Sequence, residues 1–275
     1  MKRAHYSYAH YADTTVAQGF DELRFGGPIG RFLMEEQSRL LSEALAPVAR
    51  RTIVDVGTGT GRAAIALAGQ GAHVLGLDAS QEMLDVARQR AEAAGVSLRL
   101  GVADAHHLPV KNRGVDAAVS LRVLMHAVDW RQCVAELCRV SRWRVVIDFP
   151  ALGSCAALES GARKVAHAFG RPVEAYRVIS ERSVHQAFRA SGFRVIAVRR
   201  QFVLPIAVHK TLGRLPRGLW QTRQPGPIAQ QGQRDGWQWV EAVNVRLGQW
   251  TDPTPMAAIQ PSRRRISRCG KDCRQ

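Results

Sequence analysis

The chain has few cysteines and no long apolar run. Its 275 residues include five cysteines, at positions 133, 138, 155, 269 and 273. None of them forms a Cys-x-x-Cys pair and their number is odd, so neither a disulfide framework nor a metal site is expected. No apolar stretch approaches the roughly 20 residues of a membrane span, and the first residues lack the apolar segment of a signal peptide. We therefore expect a cytoplasmic protein that does not insert into a membrane.

Lysine is also scarce. The chain holds 39 basic residues, of which five are lysines, against 23 acidic residues, and its formal net charge is +16. This balance favours anionic partners. The central part of the chain lacks a basic stripe interleaved with aromatic side chains, so a nucleic-acid partner is the less favoured alternative.

What the sequence does contain is a strand, a glycine-rich turn and a helix in direct succession. The β-branched run from Thr52 to Val56 predicts a buried strand, which is followed by Gly57, Gly59 and Gly61. The apolar run 63–68 predicts a helix. Glycine lets the backbone approach a ligand closely, and a helix N-terminus offers free N–H donors. The pattern indicates a site for a nucleotide-type cofactor.

The spacing of the glycines limits the choice of cofactor. A dinucleotide-binding loop has the order Gly-x-Gly-x-x-Gly, in which the third glycine lets the helix pack on the strand. Arg62 stands at that third position here. A Walker-type phosphate loop requires Gly-Lys-Ser/Thr, which does not follow. A nicotinamide enzyme and a Walker-type nucleotidase are therefore disfavoured.

A second acidic position follows at the distance typical of nucleoside-binding sheets. The run 73–77 predicts a strand that ends at Asp78, 21 positions after Gly57. An acidic residue at this place can accept hydrogen bonds from ribose hydroxyls. Ser80 then predicts the start of a helix that runs to Ala94. Asp78 is therefore interpreted as a ribose ligand, and a helix-capping role is the alternative.

A third predicted strand, 97–102, leads to Asp104. The carboxyl ends of strands form the ligand-binding edge of open α/β sheets. At that edge the Asp104 carboxylate or its neighbouring backbone could accept a hydrogen bond from an adenine amino group. A solvated turn is the alternative for this residue.

Four stretches in this order resemble a known family. The stretches 54–61, 76–84, 103–109 and 115–120 are similar to the core of class I S-adenosylmethionine-dependent methyltransferases, in particular the methyltransferase type 11 domain family. The resemblance covers residues from about 50 to 149. It implies a Rossmann-like, doubly wound, mostly parallel α/β sheet and the cofactor S-adenosylmethionine.

The resemblance also implies roles for individual residues. It assigns Asp55 and the three glycines to the methionine and ribose part of the cofactor, Asp78 to the ribose, and Asp104 with Ala105 to the adenine. Further cofactor-binding positions lie in the matched stretches: Thr58, Ala79, Met83 and Ser120.

The chain departs from the family at three places. Residues 140–143 replace the usual Pro-Gly turn before the fifth strand, and Val115 stands where an aromatic residue is usual. No clear pattern marks the family's last strand. The sequence therefore predicts six strands and leaves the presence of the last strand in question.

Three segments are expected. Residues 1–45 predict a helical lid, with a frayed terminus as the alternative for residues 1–12. Residues 46–216 predict the methyltransferase domain. Residues 217–275 hold nine of the glutamines and four of the six tryptophans, and predict a poorly ordered basic tail. A nucleic-acid or membrane-surface arm and a segment outside the native reading frame are the alternatives for the tail.

His126 is the candidate catalytic base, because it follows the fourth strand near the expected cofactor edge. A histidine that only packs the loop is the alternative. His106 and His107 are interpreted as solvated, and Asp148 is a weaker pocket candidate. The chain has neither Asn/Asp-Pro-Pro-Tyr nor Pro-Cys, which mark DNA-methylating enzymes. We therefore expect methyl transfer to a small-molecule acceptor without a metal, and an RNA-modifying enzyme or nucleic-acid-binding protein is the alternative.

Overall fold

The structure is a computed structural model that describes residues 26–152, 177–201 and 237–245, together with residues 19, 157, 160, 161 and 163. Seven strands form one sheet in the order β3-β2-β1-β4-β5-β7-β6. The strands are β1 (Thr52–Val56), β2 (His73–Asp78), β3 (Arg99–Val102), β4 (Val115–Ser120), β5 (Ser141–Pro150), β6 (Phe193–Gln201) and β7 (Trp237–Asn244). The helices among the described residues are α1 (Gly27–Leu45), α2 (Arg62–Ala68), α3 (Gln81–Ala93), α4 (Trp130–Val140) and α5 (Glu181–Ala190).

The first five strands are parallel, and β7 runs antiparallel to both of its neighbours. Because these five strands are parallel, they all end at the same edge of the sheet. That edge carries the loops after β1, β2, β3 and β4. The predicted doubly wound α/β sheet is confirmed.

Both faces of the sheet are covered. Ile53 packs in a cluster with α1 and α2, whereas its neighbour Val54 packs in a second cluster with α4 and α5. Val146 and Val145 of β5 alternate in the same way. Successive side chains of a strand point to opposite faces, which is why these strands read as continuous apolar runs.

The helix ends explain why the helices begin where they do. The Ser80 hydroxyl accepts the Met83 amide at 3.0 Å and caps α3, and Ser180 caps α5 in the same way through the Ser183 amide at 3.2 Å. Asp129 caps α4 by accepting the amides of residues 131 and 132. The helix predicted from Ser80 to Ala94 is therefore reproduced to within a residue at either end.

The fifth strand begins within the stretch 140–143 that stands in place of the family's Pro-Gly turn. It starts at Ser141, directly after α4 ends at Val140. The Ser141 side chain is buried, and its hydroxyl donates to the Arg144 carbonyl at 2.8 Å. This backbone carbonyl therefore has a hydrogen-bond partner in the stretch where the family usually has a Pro-Gly turn.

The last strand of the sheet, which the sequence left in question, is present. Strand β7 lies between β5 and β6, and it comes from the segment 217–275 that was predicted as a tail. Its pattern was missed because both of its faces are buried: Trp239 packs on the side of α1 and α2, and Val240 and Ala242 pack on the side of α4 and α5. The tail is thus not wholly outside the fold.

A buried ion pair fits β7 to its neighbour. Glu241 of β7 is 6% exposed, and its Oε1 lies 2.8 Å from Nη1 of Arg144 in β5. The Arg144 guanidinium also donates to the Ala44 carbonyl of α1. Strand β7 thus combines apolar burial with a buried charge that its neighbour β5 pairs.

Several predictions fall on residues outside the described set. They include residues 1–25 of the predicted lid, apart from residue 19, and the predicted tail apart from residues 237–245. Among the residues that the structure describes, no helix is long and apolar enough to span a membrane.

Candidate active site

The glycine-rich loop joins β1 to α2 at the carboxyl edge of the sheet. Gly57, Gly59 and Gly61 all have positive φ angles, of 73°, 55° and 82°. A residue with a Cβ rarely adopts such a backbone, so the loop requires glycine at these positions. The amides of Gly57 and Thr58 donate to the Leu77 carbonyl at 2.7 and 3.0 Å, which fastens the loop to the end of β2.

The three glycines differ in what surrounds them. A Cβ on Gly57 would lie 2.1 Å from Cγ2 of Val123, and one on Gly61 would lie 3.0 Å from the Ala87 Cβ. A Cβ on Gly59 would meet nothing within 4 Å. Gly57 and Gly61 therefore let protein segments pack closely, whereas the backbone at Gly59 borders open space that a ligand can enter.

Asp55 lies beneath this loop. It is 2% exposed, and its Oδ2 accepts a hydrogen bond from the Thr58 hydroxyl at 2.8 Å. Burial raises the pKa of Asp55 to about 6, the Thr58 hydrogen bond lowers it, and the nearby Asp78 charge raises it. The Arg62 charge also favours the ionised carboxylate. Asp55 and Thr58 thus brace the loop from inside.

Asp78 closes the loop from the side of β2. Its Oδ2 accepts the Gly59 amide at 2.8 Å, and its Oδ1 accepts the Ser80 amide at 3.0 Å. Burial raises the pKa of Asp78 and these backbone hydrogen bonds lower it. Helix α3 is capped by Ser80, so Asp78 does not serve as its cap. An ionised carboxylate can accept about four hydrogen bonds, so acceptor capacity remains for a ligand.

Asp104 lies at the next strand end along the edge. Its side chain is 48% exposed, and Oδ1 accepts the His106 amide at 2.9 Å. The same oxygen lies 2.6 Å from Nδ1 of His106, whose Nε2 accepts the Asp129 amide at 3.1 Å. In this arrangement Nδ1 donates to Asp104 and Nε2 is the acceptor. Instead of being solvated, His106 ties the Asp104 loop to the start of α4, whereas His107 is exposed.

The remaining predicted cofactor residues have different environments. Ser120 is 1% exposed, and its hydroxyl donates to the Val56 carbonyl at 2.9 Å. Met83 is buried in the first turn of α3, Ala79 is exposed beside Asp78, and Ala105 packs partly on the core. The structure thus gathers the predicted positions at the ends of four adjacent strands.

The candidate base lies in the segment that follows β4. His126 is half-buried, and its amide donates to the Val123 carbonyl at 2.9 Å. The same segment contacts the glycine loop, because Val123 occupies the space beside Gly57. The catalytic role of His126 stays a prediction.

Arg122 had no predicted role, and its partner Asp148 was the weaker pocket candidate. Asp148 of β5 is buried and lies 3.7 Å from Arg122, measured from Oδ2 to Nε. Burial raises the pKa of Asp148, and the charges of Arg122 and Arg62 lower it. Arg62 therefore lies near both Asp55 and Asp148, and the sequence signalled it only by its place after the last glycine. Within the described ranges, no group of three or more His, Cys, Asp or Glu side chains could hold a metal ion.

Sequence comparison matches the same part of the chain to a family. Residues 53–143 match the family described as Methyltransferase domain. The demethylmenaquinone methyltransferase of Clavibacter sepedonicus is 39% identical over 108 residues, which are 38% of this chain and 44% of that protein. An O-methyltransferase of Penicillium expansum is 31% identical over 168 residues, 58% of each protein. The chain thus spans less than two thirds of either relative.

Solved structures share the fold. The magnesium protoporphyrin IX methyltransferase of Synechocystis PCC 6803, crystallised with bound SAH, aligns with a TM-score of 0.59. The alignment covers 85% of this chain and 97% of that one at 19% identity, and this likeness shows the fold alone. The family match over residues 53–143, the curated relatives and this shared fold together support one identification, a class I S-adenosylmethionine-dependent methyltransferase.

Proposed function

We propose that this protein transfers a methyl group from S-adenosylmethionine to a small-molecule acceptor. The observation that carries the proposal is the open space at Gly59 beside the Asp78 carboxylate, at the adjoining ends of β1 and β2. A ligand at that place meets a bare backbone on one side and a hydrogen-bond acceptor on the other. A nucleoside with ribose hydroxyls has the complementary chemistry.

The residues fit this cofactor. Gly57, Thr58, Gly59 and Gly61 form the backbone cradle, braced by Asp55, and Asp78 would accept from the ribose. Asp104 and Ala105 would face the adenine, with Ala79, Met83 and Ser120 completing the surroundings. S-adenosylmethionine, when bound, supplies a methyl group activated by a sulfonium.

The acceptor is proposed from the relatives. Their names describe methylation of demethylmenaquinone and of malonyl-[acyl-carrier protein], and a structural neighbour is named for magnesium protoporphyrin IX. These names support an acceptor that is a small molecule, either free or attached to a carrier protein. His126 would take the proton where the acceptor atom must lose it, and holding the acceptor in line would supply the rest of the rate advantage.

Titration calorimetry with S-adenosylhomocysteine (SAH) tests the proposal. We expect binding by the wild-type chain, and about 10- to 100-fold weaker binding by Asp78→Ala, because a charge-assisted hydrogen bond is lost. Asp85→Ala is the matched control, since Asp85 is an exposed carboxylate of α3 that pairs with Arg88. A folded wild-type chain that fails to bind SAH would refute the proposal.

A glycine pair tests the cradle itself. Gly59 and Gly95 have similar φ angles, of 55° and 65°, and an added Cβ meets nothing within 4 Å at either position. Replacing either by alanine therefore has the same backbone cost. Only Gly59→Ala should weaken SAH binding, because only its Cβ would enter the space of the cofactor. Equal affinities of the two variants would place the ligand elsewhere.

A further inference from the structure

The segment between β4 and α4, residues 121–129, begins with an unfavourable backbone conformation. Arg122 has a φ angle of +62°, in the left-handed region that residues with a Cβ rarely adopt. Such a conformation persists only where surrounding contacts compensate for it. The contact that compensates for it here comes from a different strand.

Asp148 supplies this contact. It lies near the end of β5 and is 6% exposed. Its Oδ1 accepts a hydrogen bond from the Arg122 amide, and its Oδ2 lies 3.7 Å from the Arg122 Nε. One buried carboxylate thus holds both the backbone and the side chain of the residue with positive φ.

The consequence appears at the next residue. Val123 follows Arg122 and fills the space that a side chain on Gly57 would need. The far end of the segment is fixed separately, because the Arg177 amide donates to the Met125 carbonyl at 3.1 Å and its guanidinium donates to the Ala127 carbonyl at 3.1 Å. The segment is therefore held at both ends while its middle presses on the glycine loop.

We infer that Asp148 is a positioning residue for cofactor binding. Through the Arg122 amide it sets the backbone that places Val123 against Gly57, and this contact keeps the glycine loop in its receiving shape. Asp148 acts through Arg122 and Val123 rather than by touching the cofactor. The inference rests on the proposed function, because its readout is the binding of SAH.

The test compares Asp148→Ala with Asp148→Asn by SAH calorimetry. We expect the alanine variant to bind about tenfold more weakly, since the Arg122 amide loses its acceptor. The asparagine variant keeps an oxygen that can accept this amide, so its affinity should stay within about threefold of wild type. Adding Arg122→Gly to Asp148→Ala should restore most of the affinity, because glycine adopts the left-handed backbone without help.

Glu241→Gln is the control. It removes a buried charge of the same sheet that pairs with Arg144, away from the glycine loop. This variant should lower the melting temperature and leave SAH affinity unchanged. If Asp148 served only stability, Asp148→Ala would likewise lower the melting temperature and leave SAH affinity unchanged, and Arg122→Gly would have no lost affinity to restore.

The outcomes separate the two proposals. If wild type does not bind SAH, the proposed function fails and this inference fails with it. If wild type binds and folded Asp148→Ala binds equally well, the positioning role alone is overturned. If Asp148→Ala does not fold, Asp148→Leu fills the same space with an apolar group, which buried charged sites often tolerate. Wild-type affinity in the leucine variant would also overturn the role.

Discussion

Strands β1 to β4 and strands β5 to β7 are held together in different ways. In the first group, β1 and β2 pair residues only 21 positions apart, as in Thr52 with His73, and the loops between the strands carry the candidate site. In the second group, Arg144 of β5 pairs with Val243 of β7, 99 positions later. Local pairing closes short loops, whereas β7 must be brought in from far along the chain.

The difference affects where function and stability reside. The first group contains the glycine loop, whose three glycines have positive φ angles, and the carboxylate of Asp55, whose burial costs stability. The second group contributes apolar burial, with Trp239, Val240 and Ala242 each at most 2% exposed. The part of the sheet without a recognisable motif thus supports the part that has one.

Removing β7 should have the largest effect. A chain that ends after residue 236 would leave the facing edges of β5 and β6 without the strand that pairs with both. This loss exceeds the marginal stability of a domain, about 5–15 kcal/mol, so we expect no cooperative thermal unfolding by circular dichroism. A chain that ends after residue 245 is the control and should unfold cooperatively. A shorter chain that still binds SAH would show that the first strands fold without β7.

A substitution that creates a clash in the glycine loop should cause the next largest loss of stability. Gly57→Ala places a Cβ 2.1 Å from the Val123 Cγ2 and requires a left-handed alanine. Together these should lower the free energy of unfolding by about 2–5 kcal/mol. Gly95→Ala has the same backbone cost with open space around the Cβ, and should lose only about 1–2 kcal/mol in urea unfolding. If the two variants lose equally, the packing of Val123 on the loop does not stabilise the protein.

The sequence predicted the first group of strands better than the second for a physical reason. β1 and β2 are short apolar runs that end in Gly57 and Asp78, and each pattern is complete within a few residues. Strand β7 mixes Trp239 and Glu241 on one face, and a glutamate reads as solvent-exposed unless Arg144 is known to lie opposite it. No spacing rule connects residues so far apart.

The candidate site divides along the same line. Gly59 and Asp78 were predicted because a local motif requires them. The contact between Asp148 and Arg122 was not, because it depends on a positive φ angle and on the pairing of β4 with β5. Local chemistry can be found in one sequence, whereas contacts that support it from another strand require the fold.

A pH experiment would show that a buried carboxylate in the first group of strands lowers the free energy of unfolding. Burial raises the pKa of Asp55 from 3.8 to about 6, so folding favours the protonated form. The stabilisation that the Asp55 carboxyl contributes is complete below about pH 4 and is lost as the pH rises through 6. Asp55→Asn lacks this titration. Wild type should therefore lose ~2–3 kcal/mol of unfolding free energy relative to the variant between pH 4 and 7, measured by urea unfolding.

Asp78, Asp148 and Glu241 also have a raised pKa because they are buried. They titrate in both proteins, so the difference between wild type and Asp55→Asn reports Asp55 together with its coupling to Asp78. Parallel pH profiles of the two proteins would mean that the carboxyl of Asp55 carries no such cost.

The smallest effect is expected where α1 meets the last strands at the surface. Glu43 of α1 lies 2.9 Å from Arg199 of β6, from Oε2 to Nη1, and their side chains are 41% and 30% exposed. Solvent screens this pair, so Glu43→Ala should lower the unfolding free energy by less than about 1 kcal/mol, and the difference should shrink in 1 M salt. Arg199→Ala and the double variant complete a cycle that isolates the pair. A coupling above 2 kcal/mol would mean that α1 is held by this charge contact. A small coupling would mean that α1 is held to the sheet mainly by its buried side chains, which include Leu40, Leu41 and Leu45.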